Sequence, residues 1–378
     1  MNFRLAVYSL VLLLSCSASA ENSALQQALG KLLFEDMNLS SPVGQSCASC
    51  HQSENFFADP GKEVSPGANP ERFGNRNAPS LSYVKFNPDL FWNGEEKLWM
   101  GGFFHDGRAK TLQDQAGGPF LNPLEMGNST MSSVVEKVKQ SAYAKLFQQY
   151  YGVTIWQDIE TAFNAITAAL VAYEQGPEFA PFDSKYDYYL QGKVELTAEE
   201  KIGLELFEAE DKGNCAACHP SQQDSHSAGP LFTDFSYDNL GQPANKKLAF
   251  YGMDALYNTQ GKDYIDLGLA SNPHINNAHE EKGKFKVPSL RNIAETGPYL
   301  HNGAFTSLKE VVEFYNQRDV EANKAASQQR WSKAEVSDNI NREELGDLKL
   351  NDSEVDAIVA FMKTLTDGYQ VPSLVAGD

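Results

Sequence analysis

Apolar residues recur at helical spacing in a few separated stretches of this chain. Leu25 to Phe34 predicts an amphipathic helix, and Met131–Tyr151 and Trp156–Gln175 predict two more. Thr197 followed by Glu200 is the capping-box pairing that opens another helix. Leu308 to Tyr315 and Glu354–Leu365 continue the pattern. Between these stretches the period fails. Asp59 to about Gly107 is dense in Gly, Pro and Asn and predicts a long irregular segment, and Pro177 to Gly192 reads as a connector. A mainly α protein with long loops is expected.

The first twenty residues are different in kind. Arg4 gives a positive start, Leu5 to Leu14 is an apolar run too short to span a bilayer, and Ala18-Ser19-Ala20 is a small-residue cleavage site. Residues 1–20 are therefore expected to be a signal peptide, and the mature protein to be periplasmic. Leu13-Leu14-Ser15-Cys16 also resembles a lipoprotein signal, so lipid anchoring at Cys16 stands beside a soluble location.

The pattern repeats within the chain. Leu29-Gly30-Lys31-Leu32-Leu33-Phe34-Glu35 returns as Ile202-Gly203-Leu204-Glu205-Leu206-Phe207-Glu208, and Ala78-Pro79-Ser80-Leu81 as Val287-Pro288-Ser289-Leu290. His105-Asp106-Gly107 with Thr111-Leu112 answers His301-Asn302-Gly303 with Ser307-Leu308 at the same spacing. A length of 378 residues suits two domains. Two tandem cytochrome c-like domains are expected, residues 21–190 and 191–378, each closed by a helix, Ile159–Tyr173 and Glu354–Leu365.

Each repeat carries the same candidate chemistry. Cys47-Ala48-Ser49-Cys50-His51 and Cys215-Ala216-Ala217-Cys218-His219 have the spacing that attaches c-type haem: two thiols for the vinyl groups and a histidine for the iron. The other readings are a redox thiol pair or half of a zinc site. Two copies on an exported chain, with Cys16 in the leader as the remaining cysteine, favour one covalent haem c per domain. The net charge of −19 argues against nucleic acid and favours a basic or dipolar electron-donor protein as partner.

The repeats differ where a second iron ligand belongs. The register of His105 on His301 sets Pro119 against Tyr315 and Gln115 against Val311. A phenolate can ligate haem iron and a proline side chain cannot, so the second haem is expected to be six-coordinate and the first open beneath a polar pocket. Glu125 lies ten residues beyond Gln115, among Pro119, Phe120, Leu121, Leu124 and Met126. A carboxylate above an open iron suits peroxide, because it can move a proton from the inner to the outer oxygen as the O–O bond breaks.

These residues resemble the bacterial dihaem cytochrome c peroxidase/MauG superfamily over essentially the whole mature chain. The resemblance rests on Arg76-Asn77-Ala78-Pro79, Asp106-Gly107-Arg108-Ala109 and the Gln115 to Glu125 segment. The second half adds Gly229-Pro230-Leu231-Phe232-Thr233, Arg291-Asn292 and Gly297-Pro298-Tyr299-Leu300-His301-Asn302-Gly303. It implies that the first haem reacts with hydrogen peroxide while the second relays electrons. It also implies that Gln115 and Glu125 are the distal pair, and that Asn77, with the Thr296 and Pro298 carbonyls, holds calcium between the domains. Gln52 to Asn75 contains no histidine, unlike the dedicated peroxidases that carry a removable distal histidine there. Tyr315, where those peroxidases have methionine, is similar to MauG and its relatives, which oxidise residues of a partner protein. His105 stands where the family has tryptophan between the haems, with Trp92 or Trp99 as substitutes. The leading expectation is a peroxidase supplied by a small cytochrome c or cupredoxin. MauG-like oxidation of Tyr or Trp on a partner protein is the alternative, followed by a non-enzymatic dihaem electron carrier.

Overall fold

The computed structural model describes residues 22–372 except 224, 225, 322, 323 and 325. The expected signal peptide and Cys16 therefore lie outside the described residues. The fold is mainly helical. In chain order the helices are α1 (22–35), α2 (Leu112–Leu121), α3 (Met131–Gln140), α4 (Ala144–Tyr151), α5 (Ile159–Glu174), α6 (Lys185–Leu190), α7 (Ala198–Glu208), α8 (Leu308–Glu321) and α9 (Asp352–Lys363). Two small antiparallel pairs accompany them, β1 (Phe91–Asn93) with β2 (Leu98–Met100) and β3 (Tyr237–Asp238) with β4 (Phe285–Lys286). Among the described residues no helix is long and apolar enough to cross a membrane.

The internal repeat is carried by two helix crossings. In the first half α1 crosses α5, and a Cβ on Gly30 would collide with the Ala169 carbonyl and lie 2.7 Å from the Tyr173 Cβ. In the second half α7 crosses α9, and a Cβ on Gly203 would collide with the Ala357 carbonyl and lie 2.9 Å from the Phe361 Cβ. Only a residue without a side chain lets the two backbones approach so closely. Gly203→Ala should therefore push α7 from α9 and cost about 1–3 kcal/mol. Gly252→Ala, whose added Cβ meets nothing within 4 Å, should change stability by no more than about 0.5 kcal/mol. Thermal denaturation of the two holoproteins checks the difference.

Each crossing sits in its own apolar core. Leu29, Leu33, Phe34, Phe120, Val134, Val138, Phe147, Ile166 and Phe179 fill the first, and Phe207, Phe232, Phe314, Ile358, Phe361 and Leu365 the second. The expected single helix over Met131–Tyr151 is two helices. The chain leaves helical geometry at Ser141, which lets Val134, Val135, Val138 and Phe147 face one core. The connector holds α6, opened by a capping box between Ser184 and Asp187. Asp187 in turn receives the buried Arg291 guanidinium at 2.7 and 2.9 Å, a partner far along the chain.

The halves are joined through buried charge. Arg76 bonds Asp106 at 2.6 Å and holds both oxygens of Asp266 at 2.7 Å, and this guanidinium keeps the Asp266 carboxyl well below the usual carboxylate range despite its burial. Tyr83 donates to Asp367 at 2.8 Å, the Asn77 amide to the His301 carbonyl at 2.7 Å, and the Lys286 amide to the His105 carbonyl at 2.8 Å. These bonds gather the Asn77 loop, the His105 loop and β4 around one space.

Candidate functional site

The two cysteine motifs fold alike. Cys47–Ser49 and Cys215–Ala217 each form one tight 3₁₀ turn. The His51 amide bonds the Cys47 carbonyl at 2.9 Å, and the His219 amide bonds the Cys215 carbonyl at the same distance. Each imidazole then turns Nδ1 to a main-chain carbonyl, His51 to Phe57 at 3.0 Å and His219 to Phe232 at 2.8 Å. Donating through Nδ1 fixes the ring and leaves the Nε2 lone pair for a metal. Burial also holds both imidazoles below their ordinary pKa, so each is neutral and able to ligate.

The thiols fit the haem reading better than the redox or zinc one. Burial pushes all four up, Cys215 to about 12, whereas a reactive redox pair requires a lowered pKa. None of the four motif cysteines is in a disulfide. Among the described residues, the donors close enough to share an ion are those of Cys218, Asp238 and Glu344. That set has one sulfur, unlike the thiolate- and imidazole-rich sets that hold structural zinc. Neutral, half-buried thiols paired with an oriented imidazole fit covalent haem.

Around the second motif lies a cavity of about 300 Å³. Cys215, Cys218, His219 and Tyr315 line it, with Val311 and Met362. Tyr315 comes from the middle of α8, a helix that runs further than the expected Leu308 to Tyr315. Its phenol is pushed up by burial first and then by the neighbouring Cys218, Cys215 and Asp238, which locates it against both thiols. Met253, another side chain able to ligate iron, does not line the cavity and packs with Val64, Leu248 and Phe250.

At the first motif, α2 carries Gln115 and Pro119 on a segment that Thr111 opens with a capping box. Pro119 sits inside the helix, where it denies a hydrogen bond to the Gln115 carbonyl. Gln115 and Pro119 are half-buried. The helix ends at Asn122, whose side-chain amide donates to Glu125 at 2.9 Å. Glu125 is half-buried, and burial raises its carboxyl, opposed by Arg108 and by the Asn122 bond. The charge of Glu125 falls on both Cys47 and Cys50. The expected acid–base residue and the expected haem-attachment residues are thus neighbours. Arg108 lies 3.6 Å over the Phe104 ring and bonds Asp106 at 2.9 Å.

The wall between the halves holds the remaining candidates. His105, Asn77, Thr296 and Pro298 all line the second cavity. His105 bonds the Asn77 carbonyl through Nε2 at 2.9 Å, and burial lowers its pKa to about 4. Asn77 spends its side-chain amide nitrogen on the Lys62 and Glu63 carbonyls at 3.1 and 3.3 Å, which turns its amide oxygen elsewhere. That oxygen and two carbonyls are the hard donors calcium takes. Trp92 and Trp99 pack edge to face on the β1–β2 hairpin and are not among the residues lining the cavity.

Two further cavity residues carried no functional expectation from the sequence. His301 is buried, stacked on Phe285 at 3.6 Å, with Nε2 lacking a hydrogen-bond partner. Lys286 has its Nζ against the Gly102 carbonyl and Asn87 Oδ1, and burial lowers its pKa to about 7. His301 was legible as the repeat of His105, but its orphaned nitrogen was not. No periodic or spacing signal marks Lys286. A cation and an orphaned imidazole nitrogen on the wall of this cavity fit a cofactor that brings carboxylates with it.

The family model for di-haem cytochrome c peroxidase matches residues 24–195. The chain is 39% identical over 358 residues to the methylamine utilization protein MauG of Paracoccus denitrificans, covering 92% of this chain and 90% of that one. It is 28% identical to cytochrome c551 peroxidase of Nitrosomonas europaea, covering 93% and 82%. Among solved structures, the diheme peroxidase BthA from Burkholderia thailandensis is similar with a TM-score of 0.79 at 33% identity, covering 91% of this chain and 86% of that one.

Proposed function

Because this chain belongs to the di-haem cytochrome c peroxidase family, and is on that ground a peroxidase-type oxidoreductase, we propose that it reduces hydrogen peroxide at a first, open haem with electrons relayed through a second. Cys47, Cys50 and His51 would hold the first haem, and Cys215, Cys218, His219 and Tyr315 the second. Each haem supplies an iron that accepts electrons and, where a coordination position is free, oxygen ligands. The observation that carries the reading is Glu125, a half-buried carboxylate set against the first motif's thiols.

Glu125 takes the proton from the inner peroxide oxygen and delivers it to the outer one, so that water leaves. Gln115 orients the peroxide, and Pro119 offers the iron no donor atom. His105, neutral and fixed on the Asn77 carbonyl, bridges the space between the haems. Calcium at Asn77, Thr296 and Pro298 would pin the two cytochrome c-like halves together at that same wall. The reductant is a small periplasmic cytochrome c or cupredoxin, and the chain reaches it by export.

A second reading is favoured by Tyr315 and by the 39% identity to the MauG of Paracoccus denitrificans, against 28% to the Nitrosomonas europaea peroxidase: oxidation of Tyr or Trp residues on a partner protein. Steady-state consumption of peroxide by the two-haem protein, with a reduced small cytochrome c as donor, tests the first. Sustained turnover coupled to cytochrome oxidation is expected. Peroxide-driven spectral change without cytochrome turnover would sink peroxide reduction as the function and leave the partner-oxidation reading.

A further inference from the structure

Glu174 is a buried carboxyl, one oxygen of which has no partner among the described residues. It closes α5 at 4% exposure, and its Oε2 has no hydrogen-bond partner. Leaving a carboxyl in this state is costly, and such groups persist where they have work to do. The titratable groups around it are Cys47 of the first motif, on which its charge falls, and Tyr173 beside it on α5. Beyond Tyr173 stand Glu35 of α1, itself paired with Lys31 at 3.9 Å, and Glu178 of the following turn. Burial alone pushes the Glu174 carboxyl up, to about 8.

The internal repeat says what this carboxyl faces. Gly30 meets Ala169 and Tyr173 as Gly203 meets Ala357 and Phe361. In that register the residue after Tyr173 is Glu174, and the residue after Phe361 is Met362, which lines the second cavity together with Cys215. Glu174 therefore occupies, toward Cys47 and the first haem, the position that Met362 occupies toward the second. One half has an apolar thioether there and the other an acid.

We propose that Glu174 is the proton acceptor that accompanies electron uptake at the first haem, a role that rests on the haem assignment at Cys47, Cys50 and His51. Reduction of peroxide to two waters takes two electrons and two protons, so a haem that gathers charge for it benefits from gathering a proton too. One electron arrives from the reductant, ferric iron becomes ferrous, and the Glu174 carboxylate takes one proton from solvent to become the neutral acid. Reoxidation returns the proton. In so dry a site the added negative charge at the haem and the anionic carboxylate repel strongly.

Spectroelectrochemical titration of holoprotein and of Glu174→Gln tests this. In the wild type the potential of the first haem should fall with rising pH by up to one proton per electron, in the window between the Glu174 pKa of the ferric protein and that of the ferrous protein. In Glu174→Gln that fall should vanish while the second haem's potential stays as it was. Glu174→Met, which carries the side chain of the matching position, should behave the same way and guards against an effect peculiar to glutamine. Reduction should also produce a carboxylic acid band in the infrared difference spectrum of the wild type, absent from both variants. An equal pH dependence in all three proteins, or the same band in all three, would overturn the role of Glu174. Fewer than two haems per wild-type chain would overturn the underlying haem assignment instead.

Discussion

Glu125→Gln should bind both haems, keep the fold, and react with peroxide about two orders of magnitude more slowly than the wild type. Glutamine preserves shape and one hydrogen bond to Asn122 but cannot take up a proton. The carboxylate is half-buried, and it neighbours Cys47 and Cys50 without contributing to either core. Its removal should therefore cost chemistry rather than structure. The pH profile follows from the same geometry. Burial raises the Glu125 carboxyl, and only the ionised form can accept the peroxide proton. The rate should fall as pH is lowered through that raised value, starting above the usual carboxylate range. Glu125→Gln should show no such acid limb. Stopped-flow absorption after mixing with peroxide reads both effects, and equal rates in the two proteins would remove Glu125 from the mechanism. Peroxide binding should suffer less than cleavage, since Gln115 is untouched.

Much of this arrangement is written locally in the sequence. The cysteine motifs are short, and each folds as a single turn whose hydrogen bonds close within the motif itself. The repeat is legible for a similar reason, since Gly30 and Gly203 each answer one packing demand that allows no other residue. The Thr197 capping box is equally self-contained. What escaped the sequence depends on distant partners. Helix α6 needs Asp187 to serve both Ser184 and Arg291, and nothing near residue 187 announces Arg291. The break at Ser141 follows from where Phe147 must pack, not from a proline or glycine. Lys286 and His301 acquire meaning only when β4 meets the His105 loop across the halves. Glu174 was within reach of the sequence, but only by aligning the closing helices residue by residue instead of by their ends.

The same comparison of halves explains how one scaffold could run two chemistries. Where the second half has Tyr315, Val311 and Met362, the first has Pro119, Gln115 and Glu174. In the second half Tyr315 puts a donor atom on the cavity wall, with Val311 and Met362 where the first half has Gln115 and Glu174, which suits a haem that only passes electrons. In the first half the donor is withdrawn and polar, protonatable groups surround the motif, which suits a haem that must bind and cleave a substrate. The asymmetry lies in a few side chains, while the turns, the helix crossings and the oriented imidazoles are shared.

Tyr315→Phe should convert the second haem from six-coordinate to five-coordinate or water-bound, and raise its reduction potential. The change deletes one oxygen atom from the wall of the cavity. In the protein alone that oxygen is a neutral phenol, because burial and the adjacent Cys218, Cys215 and Asp238 all oppose its ionisation and only Arg318 favours it. An iron drawing off the proton is what would make it an anionic ligand, as metals do to the groups that bind them. An anion on iron stabilises the ferric state more than the ferrous, so its loss favours reduction. Because Val312 and Phe314, just before the position, anchor α8 in the core, phenylalanine should be accommodated without loss of fold. Electron paramagnetic resonance of the ferric protein reads the coordination change, and potentiometry reads the shift. Spectra and potential identical to wild type would show that another group completes the second haem, and the cavity then offers Met362 in place of Tyr315.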